Sequence, residues 1–232
     1  MGPNEMADRV ARIRQQMAEA ARASGRTAEA VLLCAACKSR SAEEIRLSAG
    51  LQIDLFGENR MQELARNSAQ GAYLDKPCHF IGHLQTNKVK KVVGQAAVIQ
   101  SVGSCRLLQA IAREAEKQNL RQDILLEINI GGEERKAGVS PEGLWPLVEA
   151  ALGQPQVRLR GLMAIPPAFN NSPDSRGWFA RMRQLFDQAQ GRYPEADLFD
   201  TLSMGMTDSF IAAIKEGATL IRVGTGIFGE RP

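Results

Sequence analysis

The sequence is poor in aromatic residues, which make up 5% of it, and histidine occurs only twice. So few rings leave no stacking platform for single-stranded nucleic acid. A strong charge of one sign is also missing. The 29 basic residues against 26 acidic ones leave +3 at neutral pH, which indicates neither a nucleic-acid field nor an acidic tail. No apolar run comes near the roughly 20 residues that span a bilayer. The start, Met1-Gly2-Pro3, has no apolar signal core, and Met6 stands where a myristoylation signal needs Ser or Thr. A cytoplasmic location is therefore expected. Cysteine is scarce, at positions 34, 37, 78 and 105 within apolar or strand-like segments. Reduced thiols, rather than a disulfide framework, are the expectation.

What is present suits one globular core: 232 residues, 44% hydrophobic and 24% charged, assigned to a single domain over 1–232. Met6, Val10, Ile13, Met17 and Ala20 recur at helical spacing before Gly25, predicting a leading helix within 1–25. After it, β-branched runs alternate with helical patterns. Strands are predicted at Val31 to Cys37, Ile53 to Phe56, His79 to Ile81, Val98 to Val102, Ile124 to Ile130, Leu159 to Ala164, Thr201 to Met204 and Leu220 to Val223. Helices are predicted at Ala42 to Ala49, Arg60 to Ser68, Thr86 to Val93, Arg106 to Gln118, Pro141 to Leu152, Gly177 to Arg192 and Asp208 to Glu216. Strands alternating with helices pair in parallel through right-handed crossovers, and eight such units close a (β/α)8 TIM-type barrel. Pro166 to Ser175, rich in Pro, Asn and Ser, is the expected flexible loop.

In such a barrel chemistry gathers where strands end. Lys38 follows an apolar run and is placed at the mouth, where desolvation would favour the neutral, nucleophilic amine. On this residue alone a snorkelling surface lysine is the stronger claimant, and other residues must decide. The ending Val223-Gly224-Thr225-Gly226-Ile227-Phe228-Gly229 contains a formal G-x-G-x-x-G, but no strand-helix-strand unit follows to make it a dinucleotide site. A glycine turn after strand eight instead suits a phosphate cradle. The seventh loop, Ser203-Met204-Gly205-Met206-Thr207-Asp208, supplies a hydroxyl, a glycine and a Thr or Asp expected to cap the next helix. Cys34 and Cys37 are separated by an odd number on a strand, so they face opposite ways and share no metal. Gly82 likewise stops His79 and His83 from forming a helical zinc pair.

The blocks Phe56-Gly57-Glu58-Asn59-Arg60, His79-Phe80-Ile81-Gly82-His83-Leu84-Gln85, Gly161-Leu162-Met163-Ala164-Ile165-Pro166 and Leu202 to Gly229 resemble, in order, signatures of the pyridoxal 5'-phosphate (PLP) homeostasis protein family, whose barrel is of the alanine-racemase N-terminal type. The resemblance implies PLP as cofactor, held as an internal aldimine on Lys38. It implies Arg222 facing the pyridine nitrogen, Ser203, Gly205, Gly224 and Thr225 on the phosphate, and Asn59 and His83 lining the ring. No metal is implied. The run Cys37-Lys38-Ser39-Arg40-Ser41 departs from the usual Ser-Lys-Thr-Lys-Pro pattern, and Ser209 replaces an acidic residue.

An arginine at the pyridine nitrogen cannot accept a proton and leaves the ring a poorer electron sink. Racemases resembling this barrel also carry a second domain with an acid/base tyrosine, whereas only Tyr73 and Tyr193 occur here. The expectation is a non-catalytic protein of intracellular PLP and amino-acid homeostasis, a monomer with PLP-dependent apoenzymes as partners. A weak racemase, a class I aldolase and a scaffold are the competing readings.

Overall fold

A computed structural model describes residues 3–133, 136–167, 173–194 and 199–230. Eight parallel strands close a barrel in sequence order: β1 (Leu32–Ala36), β2 (Leu55–Glu58), β3 (Cys78–Phe80), β4 (Val98–Val102), β5 (Gln122–Ile128), β6 (Val157–Ala164), β7 (Thr201–Ser203) and β8 (Leu220–Val223). Closure runs through β1 and β8, where Cys34 pairs with Arg222. The helices are α1 (Pro3–Ala23), α2 (Ala42–Ala49), α3 (Met61–Ala69), α4 (Cys105–Lys117), α5 (Leu144–Leu152), α6 (Pro173–Arg192), α7 (Phe210–Lys215) and α8 (Thr225–Phe228). Between β3 and β4 the crossover is a 3-10 segment, Thr86–Lys91, in place of the predicted α-helix. Only Val89 is buried along it, too little apolar face to hold a longer helix against the sheet.

The strands form because their side chains are buried on both faces, as a parallel sheet under helices requires. Every residue of β4 and β5 is buried. Alternation then sorts the residues. Leu33 and Ala35 join the main apolar core between barrel and helices, while Cys34 turns inward with Leu55 and Leu220. A second interior cluster is Val98, Leu125 and Met163. The inward face also carries His79, Gln100, Glu127, Ser203 and Arg222, all buried.

The helices follow the same physics. In α4, Leu107, Leu108, Ile111, Ala112 and Ala115 face the core, and the Ser104 hydroxyl caps the first turn by accepting from Leu107 N at 3.2 Å. Helix α1 buries Met6, Val10, Ile13 and Met17 and rests on α7, α8 and α2. It fills the place in the outer ring that the single turn of α8 leaves between β8 and β1.

Differences from the predicted boundaries are mostly of one or two residues. The β5 strand starts earlier and stops at Ile128, and α5 starts only at Leu144, because Ser140 to Gly143 close a turn through Gly143 N to Ser140 O at 3.0 Å. The glycine turn expected after β8 is the opening of α8. Neither Thr207 nor Asp208 caps α7. The cap position is Ser209, whose hydroxyl accepts instead from Met206 N at 3.0 Å. Residues 168–172 of the expected flexible loop lie outside the described residues.

Candidate functional site

A cavity of about 320 Å³ opens at the C-terminal ends of the strands, lined from β1 by Ala36, Lys38 and Arg40, and from β2 and β3 by Asn59 and Ile81. Ile165 lies after β6, Met206, Thr207 and Asp208 lie after β7, and Arg222, Gly224 and Thr225 close the ring. Lys38 lies two residues after the end of β1 and is half-buried. Its amine makes no hydrogen bond or ion pair among the described residues. A turn shapes this corner: Ser39 adopts φ 63° and Arg40 N donates to Cys37 O at 2.9 Å.

Arg40 is the residue that the departure around the lysine brings in. It is 7% exposed and its Nη2 donates to Gly229 O at 2.6 Å and Glu230 O at 3.1 Å, with the guanidinium 5.6 Å from the Phe228 ring centroid. It thus ties the lysine turn to the end of α8. Ser41 starts α2 with a capping box, the Ser41 hydroxyl accepting from Glu44 N while the Glu44 carboxylate accepts from Ser41 N.

On the opposite side, two turns meet. Thr207 Oγ1 lies 3.1 Å from Thr225 Oγ1 and accepts from Gly226 N at 3.3 Å. A Cβ on Gly226 would come within 2.8 Å of Val223 and 3.2 Å of Thr207, so glycine is what lets the hydroxyl reach the amide. Two hydroxyls, half-exposed glycines and the N–H groups opening α8 make a donor set suited to a phosphate dianion.

Arg222 forms the floor of the cavity and is 4% exposed. Its Nη2 donates to Ala164 O at 2.9 Å, and its Nη1 donates to Ser203 Oγ. Burial pushes its pKa down to about 10, opposed by Cys34 and Glu127, so it remains a cation at neutral pH. The carboxylate of Glu127, a residue 8% exposed and facing the mouth, has no hydrogen bond or ion pair among the described residues. Burial raises its pKa and Arg222 opposes the rise. Tyr73 donates to Glu58 Oε1 at 3.0 Å behind β2, and Tyr193 donates to Glu149 at the surface. Neither tyrosine lines the cavity.

Five of the eight predicted site residues surround this cavity: Lys38, Asn59, Arg222, Gly224 and Thr225. Three do not. His83 is exposed and lines a neighbouring depression with Gln85, Ser104 and Glu127, because the chain turns away at Gly82, where a Cβ would strike Asn59 O at 2.1 Å. Ile81 occupies the wall instead. Ser203 is fully buried beneath Arg222 and faces the barrel interior. Gly205, at φ 94°, is buried behind the rim and accepts from Arg222 N at 3.0 Å, so its part is to turn the chain. Among the wall residues the sequence reading did not assign, Thr207 was within its seventh-loop motif, whereas Arg40 carried no signal beyond its place two residues after the lysine.

All four cysteines are free. Burial pushes Cys34 up to about 12 and holds Cys37 and Cys78 well above the usual thiol value, which makes them inert packing groups. Among the described residues no metal-binding cluster occurs and no helix is long and apolar enough to cross a membrane.

The model of the alanine racemase N-terminal domain matches residues 8–232. The chain is 42% identical over 224 residues to the pyridoxal phosphate homeostasis protein of Aquifex aeolicus, covering 97% of both chains. It is 37% identical to that of Pseudomonas aeruginosa, over 97% of this chain and 96% of the relative. The structure of PipY from Synechococcus elongatus with PLP bound superposes with a TM-score of 0.83 at 32% identity, covering 97% of this chain and 100% of that one. Alanine racemase of Clostridium difficile shares the fold at a TM-score of 0.71 and 15% identity, over 87% of this chain and 53% of the racemase. The chain belongs to the pyridoxal phosphate homeostasis protein family, built on the barrel of the alanine racemase N-terminal domain.

Proposed function

We propose that this protein binds PLP at the Lys38 cavity and serves intracellular vitamin B6 and amino-acid homeostasis as a non-catalytic carrier. The observation that carries this reading is the unpartnered Lys38 amine in a cavity whose far wall is a hydroxyl and glycine cradle and whose floor is a buried arginine. PLP presents three groups that need three such partners. Lys38 would hold its aldehyde carbon as a Schiff base, and Thr207, Thr225 and the Gly224 turn would take the phosphate. Arg222 would donate to the ring nitrogen, and Asn59 and Ile81 would flank the ring.

When bound, the cofactor supplies a carbonyl that exchanges between amines. The protein's own groups favour exchange over carbanion chemistry. A donor-only Arg222 leaves the ring nitrogen unprotonated and weakens the electron sink, and no tyrosine stands in the cavity to move a proton. Delivery to PLP-dependent apoenzymes by a cytoplasmic monomer completes the proposal. Named relatives in several bacteria and the PLP-bound PipY support it.

The test is absorbance of the purified protein during PLP titration, then borohydride reduction and mass mapping. A near-visible band with the reduced adduct on Lys38 is expected. An adduct on a different lysine, or none, overturns the assignment. Turnover of free amino acids that vanishes in Lys38→Ala would overturn the carrier reading in favour of a weak racemase.

A further inference from the structure

The floor of the cavity does not end at Arg222. Ser203 Oγ, which accepts from Arg222, donates to Gln100 Oε1 at 2.7 Å, and Gln100 Nε2 lies 2.8 Å from His79 Nδ1. These residues stand on β8, β7, β4 and β3. The chain therefore crosses the barrel interior to the wall facing β8, through side chains that are all at most 8% exposed.

Its polarity is fixed. A guanidinium only donates, so Ser203 Oγ must accept from Arg222. The hydroxyl hydrogen then needs an acceptor, and Gln100 Oε1 is the one in reach among the described residues. With its oxygen so engaged, Gln100 turns its Nε2 to His79, and Nδ1 must be the bare nitrogen of a neutral ring. Burial and the Arg160 charge push the His79 pKa down to about 4, with Asp123 opposing, so the ring stays neutral at physiological pH. Reversing the Gln100 amide would leave the serine hydrogen without an acceptor, a cost of about 1–3 kcal/mol for a buried group.

We infer that Gln100 and His79 are positioning residues for Arg222, orienting Ser203 so that the guanidinium is held in place and presented to the ring nitrogen of bound PLP. The inference rests on the PLP reading above. Gln100 and His79 lie outside the cavity wall. They act by denying Ser203 any rotation that would point its hydrogen at the arginine. This gives a barrel-wide strap the task of fixing one donor.

The experiment compares PLP with 1-deaza-PLP, in which CH replaces the ring nitrogen. Dissociation constants come from the absorbance of the lysine adduct, with the melting temperature of each unliganded variant as the folding control. Wild type is expected to prefer PLP by about tenfold, the size of one charge-assisted hydrogen bond. Gln100→Leu is expected to erase that preference while leaving the affinity for 1-deaza-PLP within about twofold. His79→Leu and His79→Gln give a second pair should Gln100→Leu fail to fold. The leucine is expected to reduce the preference, and the glutamine, whose oxygen can accept from Gln100, to restore it. A variant that weakens both ligands equally, or neither, overturns the inference by showing a structural role alone. If wild type binds neither ligand on Lys38, the PLP reading itself fails, a result separate from equal weakening.

Discussion

The two ends of the barrel treat charge in opposite ways. At the N-terminal end, Asp123 receives Arg158 in a two-pronged bond at 2.7 and 2.8 Å and Arg160 at 2.9 Å, while Arg160 also reaches Asp200 at 2.7 Å. At the C-terminal end, the Lys38 amine and the Glu127 carboxylate have no hydrogen-bond or ion-pair partner among the described residues. Ion pairs at one end lock β5, β6 and the start of β7 together. At the other, Lys38 is held by a backbone turn and by Arg40, and Glu127 by its place in β5. In barrels of this kind chemistry lies at the C-terminal face and stability at the other, and here the division reaches individual charges.

The sharpest way to break the comparison is Lys38→Ala. Reducible PLP on the protein is expected to vanish, while the melting temperature changes by no more than about 2 °C, because the amine makes no contact to lose. Asp123→Ala should do the reverse. It leaves two arginines facing one another beside a buried histidine, and a loss of about 3 kcal/mol, or roughly 6–12 °C in Tm, is expected. The yield of Lys38 adduct per folded molecule should stay at wild type. A fall in that yield would show that the two ends are coupled.

These two ends were not equally legible in the sequence. The apolar run before Lys38 and the glycines after β8 announced the mouth, because strand ends are marked by a change from apolar to polar residues. Alternation along a strand also predicted which way Cys34 and Cys37 face. What alternation does not supply is depth. Ser203 and Arg222 both point inward, and only the stagger of β7 against β8, with Ser203 opposite Leu220, puts the serine beneath the arginine. Gln100 and the Asp123 network were unread for a related reason. Their partners lie on other strands, so no local pattern joins them.

A third cluster tests whether burial without a charge partner is confined to the mouth. Behind β2, Glu58 is fully buried, and Oε1 accepts from Asn67 Nδ2 at 2.7 Å and from Tyr73 OH at 3.0 Å. Its Oε2 has no hydrogen-bond partner. Burial pushes its pKa up to about 7, with the Asn67 and Tyr73 hydrogen bonds opposing. The folded state therefore keeps a proton that the unfolded chain releases near the ordinary carboxylate pKa. The resulting stability is fully present below about pH 4.5 and is lost as pH rises through 7, up to about 3 kcal/mol. Glu58→Gln should flatten that part of the stability curve, read as denaturation midpoints from pH 5 to 8. A slope unchanged by the substitution would place the titrating group elsewhere.

The smallest effect concerns the turn that carries the lysine. Ser39 has φ 63°, a conformation that costs an L-residue about 1 kcal/mol and glycine almost nothing. Ser39→Gly would remove that strain but widen the unfolded ensemble, so a net gain of only about 0.5 kcal/mol, or 1–2 °C, is expected. The more informative readout is the PLP dissociation constant. Arg40 holds the far side of the turn through Gly229 and Glu230, and Arg40 N closes it on Cys37 O, so the lysine should keep its direction and the constant should change by less than about twofold. A tenfold weakening would mean that the left-handed residue, rather than the arginine clamp, aims the amine. The mouth would then owe its geometry to local strain, and the N-terminal end alone to paired charge.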